Sequence, residues 1–122
     1  DLFTRPCPLR PDVVLDVTAD VETIVAMLAC HHSQVFEWLP YGQGVLDQVP
    51  PDDDGAARRA WLRDWFAVRT RRRCDRFRDA LVAAFGETRG RQLEFCEVYE
   101  ISEYAAPLDA DGRQRLFALP GA

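Results

Sequence analysis

The chain has 122 residues, about one domain's worth, and 48% of them are apolar, which excludes a disordered tail. Its 20 acidic and 15 basic residues give a formal net charge of -5, a balance that weighs against nucleic acid as the main partner. The longest uninterrupted apolar run, IVAMLAC, is far too short to span a bilayer and no signal peptide is visible, so a cytoplasmic protein with no membrane span is expected.

Residues 1–18 begin DLFTRPCPLRP, which lacks a start Met and reads as a connecting segment. They continue as PDVVLDVT, an apolar run between turn signals that predicts a strand. Thr18 or Asp20 is placed to cap the next element, a helix predicted over 19–39. There Val21, Ile24, Val25, Leu28, Val35 and Leu39 recur on one stripe. Residues 40–55, PYGQGVLDQVPPDDDG, combine Pro breaks, Gly and an acidic run and predict a loop or lid, mobile in part. A long helix or two helices are predicted over 56–86, closed by Gly86. Within that stretch Ala57, Trp61, Trp65 and Val68 share one face. Phe77, Leu81 and Ala84 lie nearly opposite, with Phe66 and Thr70 behind them. A surface helix has one stripe. Either two helices therefore meet near residues 66–72, or one helix meets different neighbours along its two halves. A strand is predicted over 92–101. The tail, 102–122, holds RLFAL as a terminal patch or strand. Two strands need further partners, and the helices carry more apolar surface than two strands can cover. The chain thus reads as part of an α/β domain, incomplete by itself.

The chemistry centres on ACHHSQVFEWLP, which contains both histidines of the chain. Adjacent residues on a helix diverge by about 100°, so His31 and His32 do not form a metal pair of the kind that sits four residues apart. Ser33 lacks the GxSxG elbow of a hydrolase nucleophile. Cys7, Cys30, Cys74 and Cys96 form no CxxC pair and read as buried free thiols. His31 projects with Gln34 and Trp38, a set able to line a polar pocket, to which Tyr41 on the following loop adds an aromatic group. The plainer alternative is a boundary histidine bonded to a loop carbonyl. His32 reads as a packing or surface residue. Asp16 ends a strand, a common place for a functional carboxylate in α/β folds, and equally a place where a carboxylate fixes a loop by accepting N–H bonds. Arg71, Arg72 and Arg73, with Arg69, Arg76 and Arg78, read as a solvated face.

Asp16-Val17-Thr18, a helix, then Ala26 and His31-His32-Ser33-Gln34 resemble the D-I/V-T and A-x-x-x-x-H-x-S-Q blocks of the PIG-L/LmbE-like N-acetylglucosaminyl deacetylases. Phe95-Cys96-Glu97-Val98-Tyr99 stands where that family commonly has Y-A-E-A-F, and the Arg- and Trp-rich helix followed by Arg89-Gly90 also fits. The likeness covers roughly residues 12–100. It departs at Ile24, where a Lys is frequent, and at Gln92, where a Gly is usual. It implies a Rossmann-like fold and a zinc-dependent hydrolase that removes an acetyl group from an N-acetylglucosamine-containing small molecule. The family's His-Pro-Asp-Asp-Glu motif and later zinc-binding His are not in this sequence. The resemblance therefore implies the C-terminal part of such an enzyme, with the Zn2+ ligands supplied by an N-terminal half acting as partner. On this reading Asp16, His31, Gln34, Trp38 and Tyr41 are pocket-lining or metal-supporting candidates, Glu97 holds the last strand, and no metal ligand lies here. An all-Arg complement of basic residues resembles high-GC actinobacteria, where glycopeptide-antibiotic or mycothiol-type substrates are expected. The competing reading is a non-catalytic helical module whose Arg-rich helix binds an acidic partner or nucleic acid.

Overall fold

A computed structural model describes residues 8–117. Over that range the chain is mostly helical with one two-stranded sheet, a mixed α/β arrangement. Strand β1, Val13–Asp16, pairs antiparallel with β2, Cys96–Tyr99, in the register Val13↔Tyr99 to Asp16↔Cys96. The Val17 N–H extends the ladder by donating to the Phe95 carbonyl at 3.2 Å. β2 is shorter than the predicted 92–101: Gln92 ends a helix, and only Cys96–Tyr99 pair with the four residues of β1.

The helix expected over 19–39 is broken. Helix α1, Val21–Ala29, ends at Cys30, and His31 lies outside regular helix. Neither Thr18 nor Asp20 caps α1 through its side chain; the Thr18 hydroxyl turns back to Asp16 instead. The chain then re-enters helix, passes through a π-turn at Gln34–Trp38 and ends in the short helix α2, Leu39–Gly42. Leu39 donates to the carbonyl of Gln34, five residues back. Pro40 gives the physical reason. It has no N–H to donate, and its ring needs room beside the preceding turn; a widened turn supplies that room without ending the helix. Pro40 itself is fully buried. Part of the predicted loop 40–55 is therefore helical.

Helix α3, Gly55–Arg76, begins at Asp54, whose carboxylate accepts the Ala57 N–H at 2.9 Å, an N-cap of the usual kind. Its buried residues Leu62, Phe66, Thr70 and Cys74 recur every four positions, so one stripe serves the whole helix. Its two halves nevertheless meet different neighbours. Leu62 and Phe66 join Val21, Val25, Val35 and Phe36 in one core, while Cys74 joins Leu81, Leu93 and Cys96 in a second. The helix breaks at Phe77 rather than near 66–72. Helix α4, Arg78–Phe85, stops at Gly86, whose φ of 81° suits glycine alone, and helix α5, Glu87–Gln92, follows at once. α5 packs so closely on α4 that a Cβ on Gly90 would stand 2.5 Å from the Val82 Cα. The predicted tail contains helix α6, Ala110–Phe117, so Arg115, Leu116 and Phe117 of RLFAL are helical rather than strand; Ala118 and Leu119 lie outside the described residues. No described helix is long and apolar enough to cross a membrane.

Candidate functional site

The sequence candidates fall into two separate places. α1 is nine residues long, about 14 Å at helical rise, and it sets Asp16 beyond one end and His31 beyond the other. Ser33, Gln34, Glu37, Trp38, Tyr41 and Leu46 line a shallow depression of about 420 Å³. Helical spacing accounts for this grouping, since Ser33 and Glu37, like Gln34 and Trp38, stand four residues apart on one side. Trp38 and Tyr41 are 58% and 74% exposed, which leaves both rings available to a ligand. His31 does not line the depression. It is exposed, and no described group, loop carbonyls included, bonds to its ring.

His32, read as background, is the better connected histidine. Its Nε2 lies 2.8 Å from Asp52 Oδ1 and its Nδ1 3.3 Å from Glu37 Oε1. Arg58 completes the cluster by donating to Asp52, to the Pro50 carbonyl at 2.9 Å, and by lying over the Phe36 ring. The Asp52 carboxyl is held below its ordinary range, first by the hydrogen bond from His32 and then by the Arg58 charge. Asp52 and Asp54 thus tie down the C-terminal end of a segment expected to be a mobile lid. The acidic run carried that signal in the sequence, but its partners lie on other elements. A ladder of rings continues from His32 through Phe36 and Trp61 to Trp65, the last two stacked at 5.9 Å.

Asp16 belongs to the second place, a groove of about 1440 Å³ along β1, walled by residues of α4 and α6 such as Ala80, Ala84 and Phe117. One carboxylate oxygen of Asp16 accepts the Thr18 N–H at 3.0 Å and the Thr18 hydroxyl at 2.6 Å; the other accepts Arg89 Nη2 at 2.9 Å. Burial opposes ionisation at Asp16, but the Thr18 and Arg89 bonds outweigh it and hold the carboxyl below its usual value. Asp16 therefore fixes its loop and also presents a paired charge at the groove wall. Arg89 is the groove residue that sequence reasoning passed over as a candidate; its partner is 73 positions away.

Glu97 accepts Arg73 Nη1 at 2.5 Å, and the same nitrogen donates to the Cys96 carbonyl at 3.0 Å, which joins β2 to α3. Arg78 donates to the carbonyls of Gly90, Arg91 and Leu93 at 2.8–3.2 Å and so caps the end of α5. Arg71 pairs with Glu94, while Arg69 lies over Trp65. Arg69, Arg71, Arg72 and Arg76 are exposed, as a solvated face requires, whereas Arg73 and Arg78 are half-buried and bonded within the chain. Among the described residues no three His, Cys, Asp or Glu side chains converge where a metal ion could sit. Zinc does not fit this donor set. Comparison with protein-family models, with curated proteins and with solved structures finds no match.

Proposed function

We propose that the chain is the C-terminal part of a Rossmann-like, PIG-L/LmbE-type zinc-dependent N-deacetylase, acting in the cytoplasm on an N-acetylglucosamine-bearing small molecule. In this reading the metal is held by an N-terminal half of the same protein, and the present chain contributes walls of the substrate pocket. One observation carries the proposal. β1 lies in a sheet of only two four-residue strands, it runs beside a large groove, and a charge-paired carboxylate stands at its C-terminal end. A sheet so small calls for further strands, which an N-terminal half would supply. The resemblance of Asp16-Val17-Thr18 and His31-His32-Ser33-Gln34 to the family blocks supports the same reading. The described cysteines, all free thiols, accord with a reducing compartment.

Asp16 and Arg89 then orient the groove wall rather than react. Trp38, Gln34 and Tyr41 offer a stacking surface and an amide at the separate depression. The competing Arg-rich binding module loses support because Arg73 and Arg78 are engaged with carbonyls and carboxylates of their own chain. Acetate release from an N-acetylglucosaminyl glycoside by the full-length protein tests the proposal. Release that chelation abolishes and zinc restores is the expected result; a zinc-replete preparation that releases none overturns it.

A further inference from the structure

A pair of thiols lies in the second core and takes no part in the proposed function. Cys74, near the end of α3, and Cys96, at the start of β2, are both fully buried, and their sulfurs are 3.0 Å apart in a shared hydrogen bond. A disulfide bond is about 2.05 Å long, so closing one requires the sulfurs to approach by about 1 Å. The surroundings favour reaction at one member of the pair. Cys74 is held below the ordinary thiol range by its hydrogen bond with Cys96 and, against its own burial, by the charges of Arg78 and Arg73. Cys96 is pushed far up by the same hydrogen bond and by burial. The thiol more ready to ionise therefore sits beside one that keeps its proton, the arrangement of an attacking and a resolving cysteine. Cys30, by contrast, is exposed, and its thiol donates to the Ala26 carbonyl one turn back.

We propose that Cys74 and Cys96 form a reversible, oxidation-sensitive pair, closed to a disulfide by a small hydroperoxide, that staples the C-terminal end of α3 to β2. Hydrogen peroxide is close to water in size, which suits a site with no exposed sulfur. The Cys74 thiolate attacks one peroxide oxygen and the O–O bond breaks, leaving Cys74 as a sulfenic acid and releasing hydroxide, which takes up the thiol's proton to become water. The Cys96 sulfur then attacks the Cys74 sulfur. The S–S bond forms, the S–O bond breaks, and the hydroxyl leaves with the Cys96 proton as a second water. Two thiols lose two electrons in all, and one peroxide gains them. The link closes a loop between residues 22 apart and adds a covalent tie parallel to the Arg73 bonds with Glu97 and the Cys96 carbonyl.

The test is peroxide treatment of the full-length protein, then alkylation under denaturing conditions, peptide mapping and a thermal melt. The expected result is a Cys74–Cys96 cross-linked peptide, loss of two alkylatable thiols, and a Tm raised by roughly 10 °C that a dithiol reductant reverses. Cys30→Ser should keep the cross-link and the Tm rise, whereas Cys96→Ala should abolish both. If Cys74 and Cys96 both remain fully alkylatable after peroxide treatment, or if the cross-link joins other cysteines, the proposal is overturned. If Cys96→Ala does not fold, the Cys30→Ser protein and the peptide map of the native chain decide the matter on their own.

Discussion

Gly90→Ala tests the packing of the α4 and α5 pair most directly. An added Cβ would lie 2.5 Å from the Val82 Cα and 2.7 Å from both the Leu81 carbonyl oxygen and the Val82 nitrogen. All three are backbone atoms, so no side chain can swing aside, and α5 must move out by about 1 Å to reach ordinary contact. Overpacking of this kind costs typically about 1–3 kcal/mol. Ala regains up to about 1 kcal/mol over Gly inside a helix, too little to cancel the clash at its upper end. The shift also drags the Gly90 and Leu93 carbonyls from Arg78, which adds to the loss. The net expectation is about 2 kcal/mol of destabilisation, or a Tm lower by roughly 5–10 °C. Urea and thermal denaturation of the purified protein read it. Gly42→Ala is the control, since nothing lies within 4 Å of its added Cβ and its φ is not positive; it should melt like the parent or slightly above. A Gly90→Ala protein as stable as the Gly42→Ala protein would refute the reasoning.

Arg78→Met, which keeps much of the stem and removes the guanidinium, should lower stability by about 2 kcal/mol because three carbonyls lose a charged donor; Arg78→Lys should recover only part, as one ammonium cannot reproduce the fork. Asp16 has a folded-state pKa below its unfolded value. Its contribution is therefore present above the unfolded pKa and lost as pH falls through the folded one, so the Asp16→Asn protein should lose less stability than the parent over that acidic window in pH-dependent melts. Under the proposed function, Trp38→Ala should raise KM with kcat little changed, and an unchanged KM would count against Trp38 as a substrate wall.

Elements whose signals are local were legible without the structure. The apolar run before Asp16 forms β1, Gly86 ends α4, and the strand near the end of the chain lies within its predicted range. That Gln34, Trp38 and Tyr41 share one side was legible too, since helical spacing alone brings them together. The phase of His31 was not, because one broken turn and one widened turn shift a side chain out of the register that uniform spacing assigns. Composition and pattern thus determined the strands, the helix-rich middle and the aromatic content of the depression, since those depend on residues close in sequence. Only the tertiary structure decided that Asp16 meets Arg89, that His32 rather than His31 has ionic partners, that Gly90 admits Val82, and that Cys74 faces Cys96. Each of those pairings joins positions separated in the chain, and their encounter depends on how the helices and the segments between them dock on the sheet and on one another, which no local pattern encodes.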